Sequence, residues 1–265
     1  MSASASKPKP KPKPKISVIV PVLNMERTIA RTLSSLIEQK YANLEIIIVD
    51  GLSTDRTLEC IAPFSNHLTA VISEADEGLY DAVNKGLGRA SGDIIGILNG
   101  DDYYTHPRVL DLYADKFEDP KTGIVFGDLE FFHPSNPDKT IRTYSSHKFT
   151  RDKLRFGWMP PHPTTIIRRS VYDAIGNYST DYMISSDFEF LIRALWLHSV
   201  QFDRIDSVVV RMQYGGLSTN GLVATYQLNK EIIQACRSHG LSTGWPTIML
   251  KFPEKLLEFA PAFRL

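Results

Sequence analysis

Two aspartates stand side by side where an apolar run ends. Gly92-Asp93-Ile94-Ile95-Gly96-Ile97-Leu98-Asn99-Gly100 leads directly into Asp101-Asp102. The run reads as a buried strand. Adjacent carboxylates repel each other, so holding a pair at the end of such a strand costs stability unless a cation is present. Hard carboxylate and phosphate oxygens together suit Mg²⁺ or Mn²⁺, and a divalent ion carrying a phosphate is one natural occupant. A solvated Asn-Gly-Asp-Asp turn is the other reading of the same residues.

The elements that must position the pair alternate between strand and helix. Ile16-Ser17-Val18-Ile19-Val20 is a short β-branched run stopped by Pro21, after which Asn24 reads as the cap of a helix with Ile29, Leu33, Leu36 and Ile37 at helical spacing. Glu45-Ile46-Ile47-Ile48-Val49 is a second strand ending at Asp50, and Ser53 or Thr54 reads as the next cap, with Asp55 in the first turn. Residues 69–72 form a third strand; Leu79, Val83, Leu87 and Ala90 mark a helix closed by Gly92. Such alternation predicts a parallel sheet covered on both faces, with ligands bound beyond the carboxyl ends of the strands. Asp50, Asp101 and Asp102 then share one rim.

Beyond the acid pair the pattern is mixed. Residues 123–128 read as a strand followed by a polar stretch containing Pro and Asn. Residues 164–168 read as a strand and 171–176 as a short helix. Ser185-Ser186-Asp187 caps an apolar helix, 200–203 and 208–212 read as two strands, and 224–237 as a helix. There is no internal repeat.

Composition bounds the function. The 265 residues suffice for one large domain, and 30 basic residues balance 30 acidic ones, so no global charge argues for nucleic acid. Lys7, Lys9, Lys11, Lys13 and Lys15 alternate with prolines and meet no acid, which forbids a helix over 1–15 and favours a disordered, extended arm, either a solvated leader or a basic tether to anionic lipid. The folded domain is expected over 16–240. The tail, 241–265, mixes Trp245, Ile248, Met249, Phe252, Leu256, Phe259 and Phe263 with Lys251, Lys255 and Arg264. It reads as an amphipathic segment lying on a membrane, or as one packing on the domain or on a second subunit. No secretory signal and no membrane-spanning run is visible, and Cys60 and Cys236 lack metal-ligand spacing. The expected location is the cytoplasm, free or peripheral on the inner face of the plasma membrane.

Ile16-Ser17-Val18-Ile19-Val20-Pro21-Val22-Leu23-Asn24, Val49-Asp50-Gly51-Leu52-Ser53-Thr54-Asp55 and Asn99-Gly100-Asp101-Asp102 together resemble the motif series of family 2 glycosyltransferases with the GT-A fold. The block Glu74-Ala75-Asp76-Glu77-Gly78-Leu79-Tyr80-Asp81-Ala82-Val83-Asn84-Lys85-Gly86 is similar to one in bacterial members that assemble surface polysaccharides. The resemblance spans residues 16–218. It implies an α/β, Rossmann-like, mostly parallel sheet flanked by helices, with a C-terminal helical extension. It also implies roles. Pro21 and Asn24 surround the nucleotide base, and Asp50 accepts a hydrogen bond from it, usually uracil. Asp102 ligates Mn²⁺ or Mg²⁺ while Asp101 faces ribose or metal. Asp187 falls at the catalytic base, with Ser186 before it where the family often has Glu, and Asn99 opens the metal motif where Asp is usual.

Further residues have two readings each. Tyr80, Asp81 and Asn84 line the donor-sugar pocket, or cap and solvate their helix. Lys85 and Arg89 offset charge on departing pyrophosphate, or are surface cations. His162, in Met159-Pro160-Pro161-His162-Pro163, contacts acceptor or phosphate, or is satisfied by backbone. Gly215-Gly216-Leu217-Ser218 closes over pyrophosphate, or is a turn.

The implied activity is an inverting, metal-dependent transfer from a UDP-sugar to a hydroxyl of a polyprenyl-diphosphate-linked oligosaccharide. The chemistry needs a stabilised leaving group and a carboxylate to take the acceptor proton, and the acids above supply both. Two alternatives compete. One is a sugar nucleotidyltransferase, against which stands the absence of a Gly-rich, basic loop after the first strand. The other is a non-catalytic GT-A scaffold of a polysaccharide assembly.

Overall fold

The computed structural model describes residues 13–215 and 221–251, the side chains of 221 and 222 excepted. The arm through residue 12, the Gly216-Leu217-Ser218 part of the glycine loop and the tail beyond residue 251 therefore lie outside the described residues.

The first half alternates as its periodicity predicts: β1 (Ile16–Val22), α1 (Ile29–Ile37), β2 (Leu44–Asp50), α2 (Thr57–Ile61), β3 (Ala70–Ser73), α3 (Leu79–Arg89) and β4 (Ile94–Ile97). Then come β5 (Tyr103–Tyr104), α4 (Val109–Lys116), β6 (Thr122–His133), β7 (Asn136–Tyr144), β8 (Ile166–Arg168), α5 (Arg169–Ile175) and α6 (Ser186–Leu191). A π-helical stretch, Ile192–Leu197, continues α6, and β9 (Gln201–Gln213), α7 (Gly221–Ser238) and α8 (Trp245–Met249) follow. The strands form one sheet in the order β3-β2-β1-β4-β8-β6-β9-β5, with β7 paired to β6. Among the described residues six of the nine strands run the same way, and β5, β7 and β8 oppose them.

The continuous apolar runs exist because both faces of the sheet are covered. Successive residues of a strand point to opposite faces. Ile19, Ile47, Ile95 and Ile97 pack with α3, α6 and α7 on one side. Val18, Val20, Ile46 and Ile48 pack with α1 and α4 on the other. Each fully buried Ile or Val stabilises the fold by about 1.5–3 kcal/mol. No helix among the described residues is long and apolar enough to cross a membrane.

Three local expectations are corrected. Asn24 does not cap α1: it adopts φ 55°, and its side-chain oxygen accepts from the Thr54 N–H at 2.8 Å, tying the loop after β1 to the loop after β2. The polar stretch after residue 128 is a hairpin, because β6 runs on to His133 and pairs with the solvent-exposed β7. The two strands read over 200–212 are one, β9, held in line by its long parallel pairing with β6. As for the tail, its described part packs on the domain: Ile248 is fully buried and Lys251 nearly so.

Candidate active site

The acid pair is positioned by the loop after β4. Thr32 of α1 donates to the carbonyls of Gly100 (3.0 Å) and Asp102 (2.7 Å), which fixes the loop against the helix. Arg31, on the same helix, donates to the Asp101 carbonyl at 3.2 Å and lies over the rings of Tyr103 and Phe132. Asp102 is fully buried. Its Oδ2 accepts from the Asn99 side chain at 3.0 Å, while its Oδ1 and the Asn99 Oδ1 are buried without a donor among the described residues. Burial first, and then the neighbouring Asp101, push the Asp102 carboxyl well above the usual carboxylate range; Asn99, Arg31 and the Gln213 backbone pull the other way and lose. Burial likewise raises Asp101, against the pull of its own backbone and of Arg31.

These orphaned oxygens fit a hard divalent cation. Mg²⁺ and Mn²⁺ are commonly held by one or two carboxylates with substrate phosphates and water completing the shell. The described residues contain no cluster of three or more His, Cys, Asp or Glu arranged as a ready-made cage, so phosphate or water must supply the remaining ligands.

Asp50 ends β2 on the same rim. It is fully buried and accepts from the Ser73 hydroxyl at 2.7 Å and the Ser53 N–H at 3.2 Å. These donors leave acceptor capacity on the carboxylate for a ligand. Beside it, Asp76 lies over Gly51 so closely that a Cβ on Gly51 would meet its Oδ2 at 2.3 Å. Pro21 pairs with Val49 in the β1–β2 register, which sets it next to this loop.

A second group of residues surrounds Asp187. Asp187 opens α6, is half-exposed, and accepts from the Phe188 N–H at 2.7 Å. Tyr80 of α3 donates to the Ile184 carbonyl at 2.8 Å, and burial, then the Asp187 charge, push its phenol well above the ordinary value. His162 packs edge-on to Tyr178, its centroid 6.0 Å away. Burial depresses the imidazole, only partly offset by Asp187, so the ring is neutral at pH 7. β8 starts beside Gly96 and runs against β4, so the turn holding His162 lies toward the carboxyl end of β4, on the rim of the acid pair.

Other predicted residues have local partners. Asn84 is engaged on both sides by the Tyr178 backbone, at 2.8 and 3.1 Å, and thereby pins α3 to the segment before α6. Lys85 pairs with Asp81 (3.1 Å) and Glu74 (3.3 Å), and Asp81 also accepts from the Glu77 N–H. Burial disfavours the charged Lys85, but these acids outweigh it and raise the ammonium.

The glycosyl transferase family 2 model matches residues 17–184. The chain belongs to that family. A PGL/p-HBAD biosynthesis glycosyltransferase of Mycobacterium bovis is 29% identical over 208 residues, covering 76% of this chain and 78% of the relative. An uncharacterized glycosyltransferase of Mycobacterium tuberculosis is 30% identical over 181 residues, 68% of each chain. Among solved structures, S. aureus TarS in complex with UDP-GlcNAc superposes with a TM-score of 0.66 at 20% identity, covering 86% of this chain and 68% of that one. A mannosyltransferase from Pyrobaculum calidifontis, in complex with GDP-Man and Mn2+, gives a TM-score of 0.59 at 19% identity over 95% and 82% of the two chains. These structures share the GT-A fold, and the family match favours the glycosyltransferase reading over a nucleotidyltransferase.

Within this family 2 glycosyltransferase, sequence reasoning missed the residues that hold the site from a distance. Glu231 of α7 accepts from three consecutive N–H groups, Met183 (3.2 Å), Ile184 (2.9 Å) and Ser185 (2.9 Å), and so fixes the turn that presents Asp187. Its signal, one acid among apolar positions of a helix, does not say what it bonds. Asp76 was findable, since it follows β3 at the carboxyl end of a strand, the same logic that selected Asp50.

Proposed function

We propose that the protein transfers a sugar from a nucleoside diphosphate sugar, with UDP as the nucleoside diphosphate, to a hydroxyl of a polyprenyl-diphosphate-linked oligosaccharide, inverting the anomeric carbon. The observation that carries the reading is the buried Asp102, whose Oδ1 has no donor, on the same rim as Asp50 and beside Asp101.

In this reading Asp102 and Asp101 hold Mn²⁺ or Mg²⁺. When bound, the ion would neutralise charge on the diphosphate of the leaving group. Asp50, Pro21 and Asn24 seat the base, with the Asn24–Thr54 bond keeping the two loops around it together. Asp187 accepts the proton of the acceptor hydroxyl as its oxygen attacks C1, and the bond from C1 to the diphosphate oxygen breaks in the same displacement. A part-exposed carboxylate at the start of a helix, with one oxygen accepting from the Phe188 N–H, suits that base because a hydroxyl can reach it from solvent. The neutral His162 and Tyr80 border the acceptor side. Asp81, Asn84 and Lys85 act as the frame of the donor pocket, through their bonds to the backbone and to each other. The acceptor is membrane-borne, so the enzyme works in peripheral contact with the inner membrane face.

Calorimetric titration of UDP, GDP, CDP and dTDP, with and without Mn²⁺, tests the donor site. Selective, Mn²⁺-dependent UDP binding that Asp102→Ala abolishes is the expected result. Metal-independent binding without turnover would favour the scaffold alternative, and absence of binding to every diphosphate would sink the donor-site assignment.

A further inference from the structure

Large apolar side chains are unevenly distributed over the surface. Five of the thirteen exposed ones among the described residues, Val223, Tyr226, Trp245, Met249 and Leu250, belong to α7, α8 and the residue after it. Tyr226 and Trp245 stack, their ring centroids 5.3 Å apart and their planes 15° from parallel, with 59% and 41% of their surfaces exposed. Both line a groove of about 660 Å³ together with Lys230 and Arg237. Tyr226, Lys230, Gln234 and Arg237 follow one another at helical spacing, all on the outward side of α7. A second, smaller cavity beyond α8 is lined by Lys153 and Leu250 among others. Among the described residues neither cavity has an Asp or Glu in its lining.

We propose that this face of α7 and α8 is a docking surface for an anionic lipid bilayer; it rests on the membrane-borne acceptor proposed above and says which surface meets the membrane. Aromatic rings with one wet edge settle at the headgroup level, aliphatic side chains enter below it, and lysine and arginine keep their heads among the phosphates. The alternatives fit less well. A two-fold dimer through this patch would bring Lys230 and Arg237 against their own copies. A nucleic acid would meet the cations but leave Val223, Met249 and Leu250 in water. Glu231, next to Lys230 and about 100° further round α7, is buried and fixes the turn before Asp187, so a bilayer on the outer face meets the same helix that holds the turn of the proposed base.

The test is co-sedimentation of the full chain with phosphatidylcholine vesicles, with and without phosphatidylglycerol, beside UDP·Mn²⁺ calorimetry on the same samples. The wild type is expected to bind the anionic vesicles only, and less as salt rises. Lys230→Glu with Arg237→Glu should weaken that binding about tenfold or more, since each basic residue near an anionic surface contributes measurably. Trp245→Ala should weaken it a few-fold. All variants should keep their thermal transition and UDP affinity. Binding by the double variant equal to wild type would overturn the proposal, as would equal binding to neutral vesicles or displacement of the vesicles by an oligonucleotide. Loss of UDP binding with vesicle binding intact would instead overturn the donor assignment, so the two failures are distinguishable.

Discussion

Two buried carboxylates at opposite ends of the central sheet, Glu45 and Asp102, are treated in opposite ways. At the amino end Glu45, the first residue of β2 after Leu44, is 3% exposed and fully provided for. It accepts from the Ser17 hydroxyl, the Ser91 N–H (2.7 Å) and hydroxyl (2.9 Å), and the Lys15 ammonium (3.1 Å). Burial alone would raise its pKa, but these donors together outweigh it and bring it to about 2. At the carboxyl end Asp102 is equally buried, accepts from Asn99 on Oδ2, has no donor on Oδ1 within hydrogen-bond distance among the described residues, and is pushed up by burial and Asp101. Glu45 is thereby stabilised where it stands, and Asp102 is not. A buried polar atom left unpaired costs about 1–3 kcal/mol, which a ligand bonding Asp102 would relieve.

The most direct way to break that contrast is through turnover. Asp187→Asn should lower kcat about 10³-fold, within the range for removing a general base, while UDP affinity stays within about twofold. A comparable loss of UDP affinity would place Asp187 in the donor site instead. Glu231→Ala releases three N–H groups that position the turn before Asp187 and should cost about ten- to a hundredfold in kcat with little change in KM for the donor. A pure stability loss with unchanged kcat would make Glu231 structural only.

Smaller effects sharpen the comparison at its amino end. Glu45→Gln should destabilise the protein by about 2 kcal/mol at pH 7, without changing activity per folded molecule. The folded pKa lies below the unfolded one, so this stability is fully present above about pH 4.5 and is lost as pH falls towards about 2. Wild type and variant should converge there in acid denaturation. Lys15→Ala should cost less, because the ammonium is one donor of several and remains partly in water.

The two ends also differ in how far the sequence revealed them. The strands of the first half were readable because a sheet covered on both faces makes each strand apolar at every position, and Asp50, Asp101 and Asp102 stood out as the charges that end those runs. β7 was not readable: its exposed residues, including Pro137, Asp138 and Lys139, have no buried face to impose a period. Asn24 looked like a cap because local pattern favours one, yet its partner Thr54 lies thirty residues away. Ser17 with Ser91 at one end, and Glu231 at the other, are likewise long-range pairings that no local spacing encodes. Carboxylates were visible as residue types; whether each is satisfied was decided by chain segments remote in sequence.

Thermal unfolding of the wild type and Asp102→Asn, each with and without Mn²⁺ and UDP, tests the central claim most directly. Without metal, replacing the buried acid, which burial and Asp101 disfavour as a carboxylate, by a neutral amide should raise the variant's Tm by about 2–4 °C. With Mn²⁺ and UDP together the wild type should gain several degrees and the variant almost none, reversing their order. Equal shifts in both proteins, or a metal-free variant less stable than wild type, would contradict the assignment of Asp102 as the carboxylate that awaits a cation and its diphosphate.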